Sequence, residues 1–296
     1  MNLIWATSVS AGALHAARAL LTGRMLIDRS LAAAIQAPAE ALAAAVAASG
    51  YPAAAVWQHL LPLAAGLPTL DLETAGHELA ARVLAQIEAQ ASPSAVDRLG
   101  LALERLEAAF TGAQPRVAAE LPLRRDPLRN QWEARGPGLL FGVRRLTSVD
   151  WLVPSATVVL IPPVLGGAGE AHPTYNVVTF EAVLANPIAQ LPEVLRLGWL
   201  LAQLNPTLAA EAPGSAASGG RRTAACALLA IVLAAAEDVE LAAADRAHFD
   251  LAAAEWLNDR ATADRVWRWW ENHAAGRPGW PAGLEALDRL LSRPKT

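Results

Sequence analysis

Alanine recurs along the whole chain, and this enrichment is the sequence feature that most constrains the fold. Of the 296 residues 54% are apolar, yet aromatic residues make up only 5%. Alanine has the highest helix propensity and buries little surface. We therefore expect many closely packed helices, with the ten tryptophans filling the gaps between alanine faces. The length allows one large domain or two ordinary ones.

Glycine and proline divide the first third of the chain into helical segments. Ser8 or Ser10 can cap a helix that Gly23 ends, and residues 30–48 continue as a helix with a break near Pro38. In residues 92–112 large apolar side chains recur at helical spacing. Short connections between such segments are typical of antiparallel helices. Residues 1–120 are therefore predicted to form a helical bundle.

The pattern changes in residues 121–296, where two apolar, β-branched segments occur. Ala156–Ile161 and Tyr175–Val183 are predicted strands, joined across the glycine-rich loop 166–169 as a hairpin, and a helix follows from Pro192. The run Gly136-Pro137-Gly138 is predicted to break an earlier helix. The expected fold class is α+β and predominantly α-helical, with a small β-sheet in this mixed region. The two regions can pack as one body.

Net charge and cysteine content indicate which kinds of partner and which cellular compartment to expect. The net charge of -4 argues against a nucleic-acid binder, and the single Cys226 allows no internal disulfide. The N-terminus lacks the basic start of a signal peptide. The uncharged stretch Ala41–Leu70 is interrupted by glycine and proline, and Thr223–Ala236 is too short to cross a membrane. We expect a cytoplasmic protein with no nucleic-acid or membrane partner.

Familiar cofactor motifs are incomplete. Glu170-Ala171-His172-Pro173 follows the glycine-rich loop, where a phosphate-binding loop would have lysine and the start of a helix. His77-Glu78 lacks a second histidine one helical turn later, because that position is Ala81. No metal and no cofactor are therefore expected.

One segment nevertheless resembles the core of zincin metallopeptidases, in which an edge strand precedes a helix bearing His-Glu-x-x-His. Strands at 157–161 and 176–180 are followed by a helix whose apolar frame matches such helices. In that frame Trp199 and Gln203 fall at the two histidines, and Leu200 falls at the glutamate. Zinc needs at least three protein ligands, and leucine cannot act as a general base. The resemblance implies a zincin-like region that has lost its metal site.

The function predicted from this resemblance is that of a pseudoenzyme, a non-catalytic scaffold or peptide- or protein-binding module on an inactive zincin-like core. In zincin geometry the strand at Asn176–Val183 would be a sheet edge beside a groove, and such edges take up extended peptides by strand addition. The expected groove residues are Asn176, Val178, Phe180 and Trp199.

A hydrolase of unrecognised type is the alternative. Its polar residues nearest a cleft would be Glu170, His172, Glu181 and Glu193, and at least two of them should converge within hydrogen-bond reach in one pocket. A third reading is a structural subunit whose alanine-rich helical face meets another chain. The oligomeric state is not predicted by the sequence.

Overall fold

The computed structural model describes residues 1–66, 72–88, 91–147, 152–186, 188–205, 217–257, 260–276 and 278–292. These residues form a predominantly α-helical α+β fold with a four-stranded mixed sheet, which confirms the predicted fold class. The strands are β1 (Asn2–Thr7), β2 (Ser155–Ile161), β3 (Gly169–His172) and β4 (Val177–Glu181). The N-terminal helices are α1 (Val9–Leu21), α2 (Arg29–Ala47), α3 (Ala53–Gly66), α4 (Leu72–Ala85), α5 (Pro93–Ala113) and α6 (Val117–Leu123). The later helices are α7 (Arg125–Thr147), α8 (Glu193–Ala202), α9 (Ala217–Glu237), α10 (Arg246–Ala252), α11 (Arg260–Gly276) and α12 (Trp280–Ser292).

The strand order of the sheet is β1-β2-β4-β3. β1, β2 and β4 are parallel, and β3 runs antiparallel to β4. Two expectations are corrected here. The strands β2 and β4 were predicted as a hairpin but are parallel neighbours, and the predicted edge strand β4 is an inner strand. The reason is that residues 169–172, predicted to lie in a loop, form β3 and take the edge position.

The first strand, β1, was not predicted, and it lies within the region expected to be a helical bundle. It pairs with β2 from Asn2 opposite Ser155 to Thr7 opposite Leu160. The N-terminal region thus supplies one strand to the sheet of the C-terminal region. Helix α1 follows directly and is capped by Ser8, whose hydroxyl accepts from the Ala11 amide, as the sequence predicts.

The sheet lies between two layers of helices, each with its own apolar core. Val159, Ile161 and Val177 pack on one face against the core of α1–α5. Val158 and Phe180 pack on the other face against the core built from α7, α8, α9 and the C-terminal helices. Because successive residues of a strand point to opposite faces, each central strand contributes to both cores.

The predicted break at Gly136-Pro137-Gly138 is wrong, because α7 continues through it to Thr147. The proline removes one helical hydrogen bond, but the helix is held by packing against its neighbours. At Gly142 the missing side chain permits close approach to α9, since a Cβ there would lie 2.9 Å from the Ala235 Cβ. Pro38 likewise lies inside an unbroken α2.

Judged by length and apolarity alone, α2 is the one described helix that could cross a membrane. Its large side chains Leu31, Ile35 and Leu42 are buried in the α1–α5 core. Of the two uncharged stretches in the sequence, Thr223–Ala236 lies within the buried helix α9. The other, Ala41–Leu70, covers the end of α2 and all of α3, and its last residues lie outside the described part.

Candidate functional site

A cleft of about 930 Å³ runs along β3 between the two helical layers. Every residue from Gly169 to Tyr175 lines it. Arg18 of α1 and Trp57 of α3 lie on one wall, and α8 and α9 provide the other wall. The edge of the sheet therefore lines this cavity along its whole length.

The outer edge of β3 presents main-chain hydrogen-bonding groups to this cleft. In an antiparallel pair, residues alternate between those that bond to the partner strand and those that point away from it. The Glu181 amide donates to the Ala168 carbonyl at 3.0 Å, so these two residues are a hydrogen-bonded pair. Glu170 lies opposite Thr179, two positions further along, and is the next residue of β3 that bonds to β4. By this alternation the N–H and C=O groups of Gly169 and Ala171 point away from β4, towards the cleft.

The side chains of Glu170 and His172 lie on the same face of β3, because they are two residues apart. Glu170 Oε2 accepts from Arg18 Nη1 at 2.6 Å, and about 40% of each side chain is exposed. Burial alone would raise the pKa of Glu170, but the charge that His172 carries when it is protonated in acid and the charge of Arg18 outweigh it and lower the pKa below its usual value. At neutral pH the ion pair with Arg18 is the interaction that keeps Glu170 ionised.

His172 is a buried, neutral histidine at neutral pH. Burial lowers its pKa to about 4, and the Glu170 charge only partly offsets this effect. Its Nε2 lies 3.2 Å from the Thr179 hydroxyl. The ion pair of Arg18 with Glu170 and the neutral imidazole of His172 therefore lie side by side in the cleft.

Glu181 is fully buried and lines none of the described cavities around β3. It accepts hydrogen bonds from the amides of Leu165, Gly167 and Ala168 and lies 3.1 Å from His15 Nε2. Burial alone would raise the pKa of the Glu181 carboxyl. The His15 contact and the loop amides lower the pKa by a larger amount, so it lies below the usual value. Because an ionised carboxylate only accepts, the His15 nitrogen must be the donor. Glu181 thus fixes the glycine-rich loop that leads into β3.

Arg196 of α8 holds the same loop from the other side. It donates to the carbonyls of Ala168 and Glu181 and is paired with Glu193 on the same helix. Its guanidinium carbon lies 3.9 Å from the centre of the Phe180 ring. A buried charge is tolerated only with such partners. Glu193 therefore belongs to a structural cluster under the loop.

Of the four polar residues predicted near a cleft, Glu170 and His172 do share one. Glu181 and Glu193 instead belong to the buried contacts that hold the loop, and neither lines the cleft beside β3. The sequence analysis missed Arg18 and Arg196, which contact these residues. No local spacing could have identified Arg18, because α1 lies far from β3 in the chain.

The predicted groove along β4 is also corrected. Val178 and Phe180 are buried in the core beneath α8, and β4 is paired on both sides. Asn176 is exposed at the turn before β4 with a φ of 51°. Trp199 alone of the four predicted groove residues lines the cleft.

The three positions that correspond to a zincin motif do face the cleft. Trp199, Leu200 and Gln203 all line it, on the wall opposite Arg18. The Trp199 indole donates to the Ala225 carbonyl at 2.9 Å and stacks on Trp256 at 5.6 Å between ring centres. Gln203 Nε2 donates back to the Trp199 carbonyl at 3.0 Å. These contacts fix the Trp199 ring in the wall of the cleft.

In the described part of the chain no three His, Cys, Asp or Glu side chains lie together as metal ligands would. No family model, no curated protein and no solved structure matches this chain. What the cleft binds is therefore inferred from its own geometry.

Proposed function

We propose that this protein is a non-catalytic peptide-binding module that takes up an extended segment of a partner protein along β3. The observation that carries the proposal is the outer edge of β3, which lies along the cleft with the main-chain groups of Gly169 and Ala171 directed into it. An exposed strand edge binds extended peptides through its main chain, and pockets on both sides select alternate side chains.

The edge is already held in a fixed conformation. Glu181 and Arg196 bind the residues just before β3, and β4 pairs with it along its length. A site that is rigid before binding loses little conformational entropy when a ligand arrives. This favours a binding function for the edge.

Apolar side chains line the cleft on both sides of β3. Trp57 and Tyr175 are half-buried on the side of the N-terminal helices, and Trp199 and Leu200, which are 7% and 2% exposed, form the floor of the other side. In an extended ligand successive side chains point to opposite sides. Each wall would thus receive every second side chain of the peptide.

The cleft also supports the proposed relation to zincins. An edge strand precedes α8, and Trp199, Leu200 and Gln203 face the cleft beside it. In this proposal the substrate groove of a metallopeptidase is retained for binding while the catalytic residues have been replaced.

Selection from a displayed library of random decapeptides on the immobilised full-length protein tests the proposal. Each selected peptide is resynthesised with a single N-methyl group at successive positions. Strand addition predicts that methylation weakens binding at every second position, because only alternate amides face β3. Failure to select any peptide, or equal sensitivity at consecutive positions, would contradict the proposal.

A pair of variants locates the bound peptide on β3. Ala171→Pro removes the outward N–H and should abolish binding, whereas Ala171→Ser keeps that N–H and should bind normally. Urea unfolding of both variants shows whether the fold is retained. Should Ala171→Pro be unfolded, the methylation pattern alone decides the proposal.

A hydrolase is the second candidate, because Glu170 and His172 share the cleft and His172 is neutral at pH 7. The geometry favours it less, since the Glu170 carboxylate is already paired with Arg18. Mass spectrometry of the selected peptides after incubation with the protein separates the two functions. Binding predicts intact peptides, whereas cleavage that His172→Gln abolishes would favour the hydrolase.

A further inference from the structure

The sheet has a second edge, formed by β1 on the side away from the cleft. In the strand order β1-β2-β4-β3, β1 has a partner on one side only among the described strands. None of its six residues is buried, whereas all five residues of β4 are. Ile4, in the middle of the strand, is 58% exposed. β1 is therefore a largely apolar strand that stays exposed in the single chain.

The main chain of β1 directs every second N–H and C=O group away from the sheet. The Asn2 amide donates to the Pro154 carbonyl at 2.8 Å, and the Ser8 amide donates to the Leu160 carbonyl at 3.0 Å. Along a strand these groups point to one side in one residue and to the other side in the next. The even-numbered residues thus bond to β2. The groups that point outward belong to Leu3, Trp5 and Thr7.

β1 carries none of the features by which natural proteins protect an open sheet edge. Such edges are blocked by lysine, proline, bulges or inward-pointing charges. The strand has no charged residue and no proline, and its register with β2 is continuous from Asn2 to Thr7. An exposed apolar edge without these features is a site for pairing with another chain.

We infer that two copies of this chain pair through the outer edge of β1, antiparallel and with Ile4 on a two-fold axis. In this register Leu3 of one copy lies opposite Trp5 of the other, so their outward-pointing groups exchange hydrogen bonds. Odd-numbered residues stay opposite odd-numbered residues, which keeps each side chain on its own face of the sheet. Ile4 lies against Ile4 of the second copy, and the side chain that the single chain exposes becomes buried.

The charge pattern of the strand suits pairing with its own copy. In a two-fold interface a residue near the axis meets the same residue of the other copy, so any charge there would meet a like charge. β1 has no charged side chain. The interface lies at the edge opposite the peptide cleft, so it does not depend on the proposed function.

Helix α7 adds apolar surface beside this edge. It packs against β1, and its Phe141 is 69% exposed. Phe141 and Met1, which is 42% exposed, line one cavity of about 340 Å³ at the start of β1. A two-fold axis perpendicular to the sheet keeps corresponding helical layers on the same face, so α7 of each copy lies beside the shared strands.

Opposite charges placed at Ile4 test the pairing. Size-exclusion chromatography with light scattering should give the original protein twice the mass of one chain. Ile4→Lys and Ile4→Glu should each weaken dimerisation by about tenfold or more, because like charges would meet on the axis. An equimolar mixture of the two variants should dimerise again. Ile27→Lys is the matched control and should stay dimeric, since Ile27 is 65% exposed and lies beside Val164, beyond the end of β2.

A disulfide provides a second measurement at the same position. Facing residues of an antiparallel pair that exchange no hydrogen bonds have Cα atoms about 4.5 Å apart, which a disulfide can span. Ile4→Cys should therefore form covalent dimers under mild oxidation, whereas Ile27→Cys should not. The native Cys226 is buried, so the new cysteine is the accessible one.

Three results would overturn the inference. One is a monomeric original protein at about 100 µM. Another is a mixture of the charged variants that is no more dimeric than either variant alone. The third is a mass that keeps rising beyond two chains, because this would indicate head-to-tail pairing of β1 with the β3 edge of the next copy. Circular dichroism should show that both charged variants keep their helices, and if one does not fold, the Ile4→Cys cross-link decides.

Discussion

Residues with ionisable side chains illustrate what the sequence could and could not predict at the site. Glu170 and His172 could be selected because two polar residues two apart flank a glycine-rich loop. Their roles depend on partners that the spacing does not indicate: Arg18 of the distant helix α1 for Glu170, and Thr179 of the neighbouring strand β4 for His172. Burial of His172, which sets its charge, follows from the packing of two helical layers. A residue's position in the chain therefore indicated the site but not its chemistry.

The buried His172 predicts a specific dependence of stability on pH. The pKa of His172 is lowered from 6.5 to about 4 in the folded protein. Between pH 6.5 and pH 4 the unfolded chain therefore binds a proton at His172, and the folded chain does not. The free energy of unfolding should fall as the pH drops from 6.5 to about 4, by up to about 3 kcal/mol from this group. At pH 4.8 and above the lowered pKa values of Glu170 and Glu181 add little loss of stability, because both carboxyls are then mostly ionised in the folded and the unfolded state.

Urea unfolding at pH 4.8, 5.5, 6.5 and 7.5 measures this effect. His172→Gln should show a smaller loss of stability at low pH than the original protein. Identical pH profiles for the protein and His172→Gln would contradict the burial of a neutral imidazole.

Helices and strands differ in how well they could be predicted. The apolar stripe of α5 and the Ser8 cap of α1 are local signals, and both helices form as expected. The strand β3 has only four residues, too few to show an alternation, and both β1 and β3 form where β2 and β4 offer them partners. The uninterrupted α7 also depends on a contact between distant segments. Its packing against α9 keeps the helix intact across a Gly-Pro-Gly sequence that would otherwise favour a break.

Two glycines in helices test whether close helix packing holds α7 in place. Gly142→Ala should destabilise the protein by about 1–3 kcal/mol, because the new Cβ would lie 2.9 Å from the Ala235 Cβ. Gly112→Ala in α5 meets nothing within 4 Å and should be neutral or stabilising by up to about 1 kcal/mol. Thermal and urea unfolding of both variants gives the comparison. A Gly142→Ala variant as stable as the original would show that α7 and α9 can separate without cost.

At the scale of the whole molecule, the sheet joins the two regions predicted from the sequence, residues 1–120 and 121–296. Their division into two domains stays a prediction. β1 comes from the first region and the other strands come from the second. Val159 and Val158 are neighbours in β2, yet they belong to the two different apolar cores. Loss of the sheet would therefore expose both cores, and we expect one cooperative unfolding transition.

Two spectroscopic probes can check this cooperativity, because the tryptophans are unevenly distributed. Far-UV circular dichroism follows all helices, whereas most described tryptophans lie in or against the core of the C-terminal helices: Trp5, Trp132, Trp199, Trp256, Trp267, Trp269, Trp270 and Trp280. Val159→Ala truncates a side chain in the opposite core and should lower stability by about 1–3 kcal/mol. The unfolding midpoints measured by tryptophan fluorescence and by circular dichroism should shift together. A fluorescence midpoint that stays fixed while the dichroism midpoint moves would indicate two independent units.

The pairing of β1 with β2 also determines when the chain can fold during its synthesis. β1 leaves the ribosome early, but its partner strand follows about 150 residues later. The core of α1–α5 also needs Val159, Ile161 and Val177 from that later segment. The emerging N-terminal helices therefore present unburied apolar faces until the strands arrive, and a fragment ending at α5 would have the same defect. We expect the nascent chain to depend on chaperones that shield such faces.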